Sequence, residues 1–118
     1  MLEPAALVDQ VMALARAAVR PGVNIQVELV GDRPAGALPQ DHPLVQAAAA
    51  ALRSRGLEAR LNIGSTDANV PLSKGYPAVC VGLTNGGGAH TREEFIEAGK
   101  LEKGLGALVE LVRRIFEG

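Results

Sequence analysis

Apolar residues recur at helical spacing near the start of the chain, in a stretch that opens with Pro4. We expect this helix to stop at residues 20–22, Arg-Pro-Gly, because neither proline nor glycine continues a helix well. Residues 23–30 then alternate between apolar and polar side chains. Such alternation is typical of a strand with one buried and one solvated face. The first thirty residues are therefore predicted to be a helix covering one side of a small open sheet.

Turn-forming residues dominate the next segment, 31–43, which is the predicted internal boundary of the chain. A second helix is expected to begin at Pro43, with either Asp41 or His42 as its N-cap. Gly56 follows the last helical residue and is predicted to take the left-handed conformation that ends many helices. The face of this helix is rich in alanine, which permits close packing against a neighbouring element.

Two strands and a final helix are predicted for the rest of the chain. Residues 57–63 alternate as a strand does, whereas residues 78–83 are continuously apolar, as in a strand covered on both faces. From Leu101 the apolar spacing is helical again, and Gly104 and Gly106 within it suggest either a close contact or a late helix start. The order of elements favours an α/β fold.

The composition excludes several classes of protein. Of 118 residues, 47% are apolar and 21% charged, with a formal net charge of −1, whereas nucleic-acid-binding modules usually carry a basic excess. The three aromatic residues are too few for a base-stacking platform. No apolar run approaches the roughly 20 residues that a membrane helix needs. We therefore expect neither a nucleic-acid partner nor a membrane partner.

A single cysteine, Cys80, rules out an internal disulfide and fits a reducing compartment. Its place in an apolar segment predicts an inert core residue. The N-terminal residues are acidic where a signal peptide would be basic. The expected location is the cytoplasm.

Polar residues follow each of the last two predicted strands, in the segments 64–75 and 84–95. In an open α/β sheet, loops at the carboxyl ends of strands carry function, so we expect both to open onto one crevice. The second segment reads TNGGGAHTREEF, and its His90 is either a metal ligand or a surface-loop residue without a role. Its glycines resemble a phosphate cradle but lack the lysine of a P-loop.

The other polar residues keep alternative interpretations. Asp67 is a ligand, a carboxylate partner for a histidine, or a turn-former. Ser65 could act as a nucleophile with His90 and Asp67, but no nucleophile-elbow motif surrounds it. Glu93 and Glu94 fit either a general base or the acidic first turn of a short helical segment.

Two blocks, GSTDANVPLSKGYPAVCVGL and NGGGAHTREEFI, together resemble the C-terminal portion of a large family of zinc exopeptidases and amidohydrolases. This family includes aminoacylase, carboxypeptidase G, succinyl-diaminopimelate desuccinylase and peptidase T, and the wording is most similar to the peptidase T-like branch. The resemblance implies a partial zinc-exopeptidase-like (phosphorylase/hydrolase-like) α/β sheet domain, residues 34–118. Residues 1–33 resemble the final helix and strand of the family's lid, or dimerisation, domain.

The resemblance also implies roles for particular residues. His90 matches a zinc ligand, and Glu94 is expected to steady the loop that carries it. The remaining matched residues are expected to line the substrate site: Thr66, Asp67, Asn69, Gly86, Gly87 and Gly88. Asn69 stands where some relatives carry a substrate-binding arginine.

The family's other zinc ligands and its general base, in a His-x-Asp motif, a bridging aspartate and a Glu-Glu pair, have no counterpart here. The resemblance implies a zinc-dependent hydrolase of peptide or N-acyl amide bonds with two zinc ions in the complete site. We expect the isolated chain to be inactive, and to associate with itself or with an N-terminal partner chain. The alternative is a non-catalytic binding or oligomerisation module.

Overall fold

The computed structural model describes residues 3–118, which fall into two units, Met1–Asp32 and Arg33–Gly118. Whether these units correspond to the end of a lid and to part of a catalytic domain stays a prediction. In the described part of the chain, no helix is both long and apolar enough to cross a membrane.

In its described part, residues 3–32, the first unit contains one helix, α1 (Pro4–Ala17), which begins at a proline as predicted. A tight turn follows, in which the Val23 N–H donates to the Arg20 carbonyl over 2.9 Å and Gly22 has φ +79°. Proline followed by a positive-φ glycine suits the two central positions of such a turn. No residue in the range 3–32 is buried, and the α1 side chain of Leu14 is 73% exposed. Residues 3–32 therefore form no core of their own.

The second unit begins its regular structure with α2 (Pro43–Ser54). The Nδ1 atom of His42 accepts a hydrogen bond from the Leu44 N–H over 3.1 Å, so His42 is the N-cap and the prediction of a capping role is confirmed. At the other end Gly56 has φ +70° and its N–H donates to the Arg53 carbonyl. The glycine termination predicted from the sequence is likewise confirmed.

A short helix, α3 (Asn69–Ser73), interrupts the segment predicted as a loop. The last helix, α4 (Leu101–Glu117), follows a single 3₁₀ turn at Ala98–Lys100. It packs on α2 and forms the centre of the core, where Ala51 is 1% exposed and Leu111 5% exposed. Val79 and Val81 pack against the same cluster.

Gly104 of α4 explains why glycine occurs inside this helix. A Cβ at this position would overlap the Leu83 carbonyl, so the backbone of α4 touches the backbone at the end of the apolar segment 78–83. Gly104 itself is buried. Of the two interpretations open from the sequence, close contact is the one observed.

A two-stranded antiparallel pair, β1 (Gly86–Gly87) and β2 (Phe95–Ile96), is the sheet found in residues 3–118. Its register places Gly86 opposite Ile96 and Gly87 opposite Phe95. Residues 88–94 form the loop of this hairpin.

The strands expected at 23–30, 57–63 and 78–83 are not formed, apart from an isolated bridge at Val23. In the second unit, no backbone hydrogen bond joins residues 57–63 to residues 78–83. A strand exists only by its hydrogen-bonded ladder, and apolar alternation alone does not supply a neighbour. These three predictions are wrong for the chain as it stands, and the larger α/β sheet stays a prediction.

Candidate functional site

His90 lies in the β1–β2 hairpin loop. Among the non-glycine residues of the described range 3–118, it is the one with a positive φ, +66°. This left-handed conformation is unfavourable for residues with a Cβ and persists only where the surroundings impose it. Here the Gly88 carbonyl accepts hydrogen bonds from both the Thr91 N–H (3.0 Å) and the Thr91 hydroxyl (2.6 Å). The loop thus fixes the backbone of His90 while leaving its side chain exposed.

The three glycines before His90 are required by the packing of the hairpin itself. A Cβ on Gly86 would lie 2.5 Å from the Phe95 carbonyl oxygen, and one on Gly87 would lie 2.8 Å from the Phe95 ring. Gly88 has φ +64° and faces the Glu93 backbone. The structure therefore gives these glycines a reason within the chain, and their predicted contact with substrate stays a prediction.

Glu94 closes the same loop. Its Oε2 atom accepts the His90 backbone N–H over 3.4 Å, which is long for a hydrogen bond to a carboxylate. This is the contact by which Glu94 would steady the loop.

A separate, shallow cleft of about 480 Å³ gathers the polar residues of the other predicted site loop. Ser65, Thr66 and Asp67 line it together with Arg33 and Cys80. His90 is not among the residues that line this cleft. The cleft thus brings Thr66 and Asp67 together, and the single crevice shared with the His90 loop stays a prediction.

Internal hydrogen bonds hold the loop of this cleft in shape. Asn69 Oδ1 accepts the Thr66 N–H over 3.1 Å, and the Asn69 N–H donates to the Thr66 carbonyl over 3.0 Å. Thr66 Oγ1 accepts the Ala68 N–H over 3.2 Å. Asn69 and Thr66 therefore act first as turn-formers, and the Asp67 side chain at the cleft is fully exposed to solvent.

Ser65 and Cys80 both differ from their predicted surroundings. The Ser65 hydroxyl accepts a hydrogen bond from Arg33 (3.2 Å), and no hydrogen bond in the described chain joins it to His90, so a Ser65 nucleophile with His90 as base has no support. Cys80 was predicted to be inert core but is exposed. Residues 78–83 are covered on one face, where Val79 and Val81 meet the helices, so the residue between them faces the cleft.

Arg33 is the cleft residue that sequence reasoning missed. Its Nη1 reaches Ser65 across 32 positions of sequence, and its Nη2 lies 3.7 Å from Asp67 Oδ1. No local pattern signals such a long-range contact. In the sequence, Arg33 belongs to the turn-forming segment 31–43 and carries no signal of its own.

An exposed ion pair outside the cleft, Glu58 and Arg60, alters the pKa of both of its members. The Arg60 guanidinium donates a 2.8 Å hydrogen bond to Glu58 and attracts its charge, which together hold the pKa of Glu58 below its ordinary value. The same contact raises the pKa of Arg60.

The model of peptidase family M20/M25/M40 matches residues 3–114, nearly the whole chain. The chain belongs to peptidase family M20/M25/M40. Searches of curated proteins and of solved structures returned no match. Membership of this family supports a hydrolase function of the peptidase class, at the level of the family.

The M20/M25/M40 family is generally metal-dependent, so the fit of a metal to this chain can be tested on its geometry. Over residues 3–118, no three or more His, Cys, Asp or Glu side chains come together in a group able to hold a metal ion. A catalytic zinc needs three protein ligands and an open position. The described residues of this M20/M25/M40 chain therefore do not by themselves fit a catalytic metal centre. His90 presents one imidazole, and Glu94 is engaged with the backbone of its own loop.

Proposed function

We propose that this chain is the C-terminal part of a zinc-dependent peptidase or amide hydrolase of the peptidase T-like branch, and that His90 is one of its metal ligands. The family match over residues 3–114 supports the hydrolase class, and the resemblance of the two sequence blocks supports the branch and the role of His90. In the complete enzyme the α/β catalytic domain would include residues 34–118, and residues 1–33 would end its lid. The substrate class is a short peptide or an N-acyl amino acid, and the location is the cytoplasm.

The backbone of His90 supports a ligand role. A histidine held at φ +66° costs free energy, about 1–2 kcal/mol for a residue with a Cβ. Side chains held in such conformations cluster at functional sites. The Thr91 hydrogen bonds to Gly88 and the tight glycine packing on Phe95 impose the conformation, so the backbone of His90 is set before any ligand arrives.

The remaining ligands must come from other residues, because the described residues hold no metal-binding group of three. A second polypeptide segment of the same family would supply the His-x-Asp and Glu-Glu motifs. Exposed apolar side chains offer surface for such a partner. On α4 they are Leu101, Leu105, Val109, Val112, Ile115 and Phe116, the last 84% exposed. Apolar patches of this kind mark interaction surfaces.

Reconstitution tests the proposal. Hydrolysis of N-acetyl amino acids and tripeptides would be measured for the chain alone, with and without zinc, and for the chain mixed with a polypeptide carrying the missing motifs. We expect no turnover by the chain alone and zinc-dependent turnover by the mixture. If the chain alone bound zinc tightly and stoichiometrically and turned over substrate, the assignment of His90 as one ligand of a metal site shared by two polypeptides would be overturned.

The two histidines give a matched pair of variants. His90→Ala should abolish turnover in the mixture. His42→Asn also removes an imidazole but keeps an N-cap side chain for α2, and should retain full turnover. Equal activity of both variants would remove His90 from the metal site.

A non-catalytic binding or oligomerisation module is the second candidate, favoured by the same exposed surface. Under this alternative the chain would associate without gaining activity. Sedimentation of the chain alone measures its self-association, and sedimentation of the mixture measures its binding to the second polypeptide. A chain that stays monomeric at high concentration and does not bind the second polypeptide would contradict both candidate functions.

A further inference from the structure

Among the described residues, 3–118, Arg33 is the one cation that lines the cleft formed by the Ser65–Ala68 loop. Its guanidinium has five N–H donors, yet in the described chain it donates one hydrogen bond, to Ser65 Oγ. The 3.7 Å separation from Asp67 is too long for a second. Its side chain is 47% exposed, so the remaining donors are accessible from the cleft.

Packing restrains the backbone segment that carries Arg33, and hydrogen bonds restrain the loop that receives its guanidinium. A Cβ on Gly36, three residues later, would lie 2.5 Å from Leu72 Cβ, so the segment carrying Arg33 is pressed against α3. The loop that receives the guanidinium is itself held by the hydrogen bonds between Thr66 and Asn69. A preorganised arginine loses less conformational freedom on binding an anion than a free one.

We propose that Arg33 binds the carboxylate of the substrate, as the group that recognises the free acid end of an N-acyl amino acid or peptide. A planar guanidinium pairs with a carboxylate through two parallel hydrogen bonds. The volume of about 480 Å³ lies in the range of small-molecule sites and accommodates one amino-acid residue. Ala78 and Val79 give the cleft an apolar wall for the rest of that residue.

The charge of the cleft favours a carboxylate over a phosphate. Asp67 Oδ1 lies 3.7 Å from the Arg33 guanidinium, so a ligand bearing two negative charges would meet a like charge beside the arginine that binds it. A ligand with a single negative charge is repelled less by Asp67 than a ligand with two. Because Asp67 is fully exposed, solvent screens this repulsion.

This inference rests on the proposed hydrolase function, but its test needs no turnover. Cys80 is the single cysteine of the chain, is exposed and lines the same cleft, so its alkylation by neutral iodoacetamide reports occupancy. The probes are N-acetylalanine and its amide, N-acetylalaninamide, which match in size and differ in charge.

We expect N-acetylalanine to slow alkylation about tenfold at about ten times its dissociation constant, by simple mass action. The amide should leave the rate unchanged. Arg33→Ala should remove the protection and Arg33→Lys should weaken it, since a lysine cannot form the bidentate pair. Arg60→Ala is the matched control, because Arg60 is also an exposed, paired arginine but does not line the cleft, and it should retain full protection.

Three results would overturn the assignment: absence of protection by N-acetylalanine, equal protection by the amide, or full protection in Arg33→Ala. Equal protection by inorganic phosphate would make the cleft a general anion site and also overturn it. Circular dichroism of each variant checks that the helices are intact. If the proposed zinc site shared by two polypeptides were wrong, the reconstituted mixture would show no hydrolysis. That measurement is independent of Cys80 alkylation.

Discussion

The contact between α4 and the Leu83 carbonyl makes a sharp prediction about two glycines of one helix. Gly104→Ala and Gly106→Ala both gain about 1 kcal/mol of helix propensity. They differ in what the new methyl group meets. At Gly104 it overlaps a backbone carbonyl, whereas at Gly106 it comes 3.2 Å from Nε of Arg55, an exposed side chain that can move.

The magnitudes follow from that difference. Overpacking a rigid site costs about 1–3 kcal/mol, so Gly104→Ala should lose about 0–2 kcal/mol of unfolding free energy once its propensity gain is subtracted. Gly106→Ala should gain up to about 1 kcal/mol. The structural reason for the loss is that residues 78–83 must move away from α4, which takes Val79 and Val81 off the core cluster around Leu111.

Urea unfolding followed by helical circular dichroism at one fixed protein concentration measures both variants. With a slope of about 2 kcal/mol per molar urea, the predicted difference of about 1–3 kcal/mol separates the two midpoints by about 0.5–1.5 M, with Gly106→Ala the higher. A midpoint for Gly104→Ala equal to or above that of Gly106→Ala would refute the close backbone contact.

Three further predictions concern single side chains. His90→Gly should raise the unfolding free energy by about 1 kcal/mol relative to His90→Ala, because glycine adopts φ +66° without strain; a lower urea midpoint for the glycine variant would contradict this. His42→Ala should cost about 0.5–2 kcal/mol by leaving the Leu44 N–H of α2 uncapped, and His42→Asn should restore most of it, which the same urea titration measures. Glu58→Gln should leave the midpoint at neutral pH unchanged, because its pair with Arg60 is fully exposed. The pKa of Glu58 is lowered in the folded chain, so any contribution is present at neutral pH and lost as pH falls through that lowered pKa; a midpoint change larger at pH 7 than at pH 3 would reveal a stronger pair.

The helices of this chain were predictable because their signals are local. Pro4 and Pro43 mark two starts, His42 supplies a cap, and Gly56 ends α2 in the left-handed conformation. Each signal acts within a few residues of the helix end, so no distant part of the fold is needed to interpret it.

The strands were not predictable in the same way. Residues 57–63 alternate well, yet an alternating pattern states only which face is apolar and cannot provide a hydrogen-bonding neighbour. For residues 78–83 the continuous apolar run suggested two covered faces, whereas helices cover one and leave Cys80 exposed. The continuous pattern remains compatible with a second cover, which the proposed partner would provide.

The candidate site shows the same division between local and distant information. His90 and its glycines stand next to each other in sequence, so the motif was visible, but the reason for the glycines was not. Their close approach to Phe95 depends on the hairpin register, which brings positions eight or more residues apart together. Arg33 was missed because its partner Ser65 is 32 positions away.

These contacts also bear on the proposal that this chain contributes one ligand to a metal site completed by a second polypeptide. The backbone of His90 is set by hydrogen bonds and packing inside the segment 86–96, all of it within this chain. The number of ligands, in contrast, depends on side chains that the described residues do not bring together. In the proposed metal site, a loop preorganised in this way would lose little further entropy when a partner supplied the other ligands. The binding energy of that partner would then not be spent on ordering the backbone of His90.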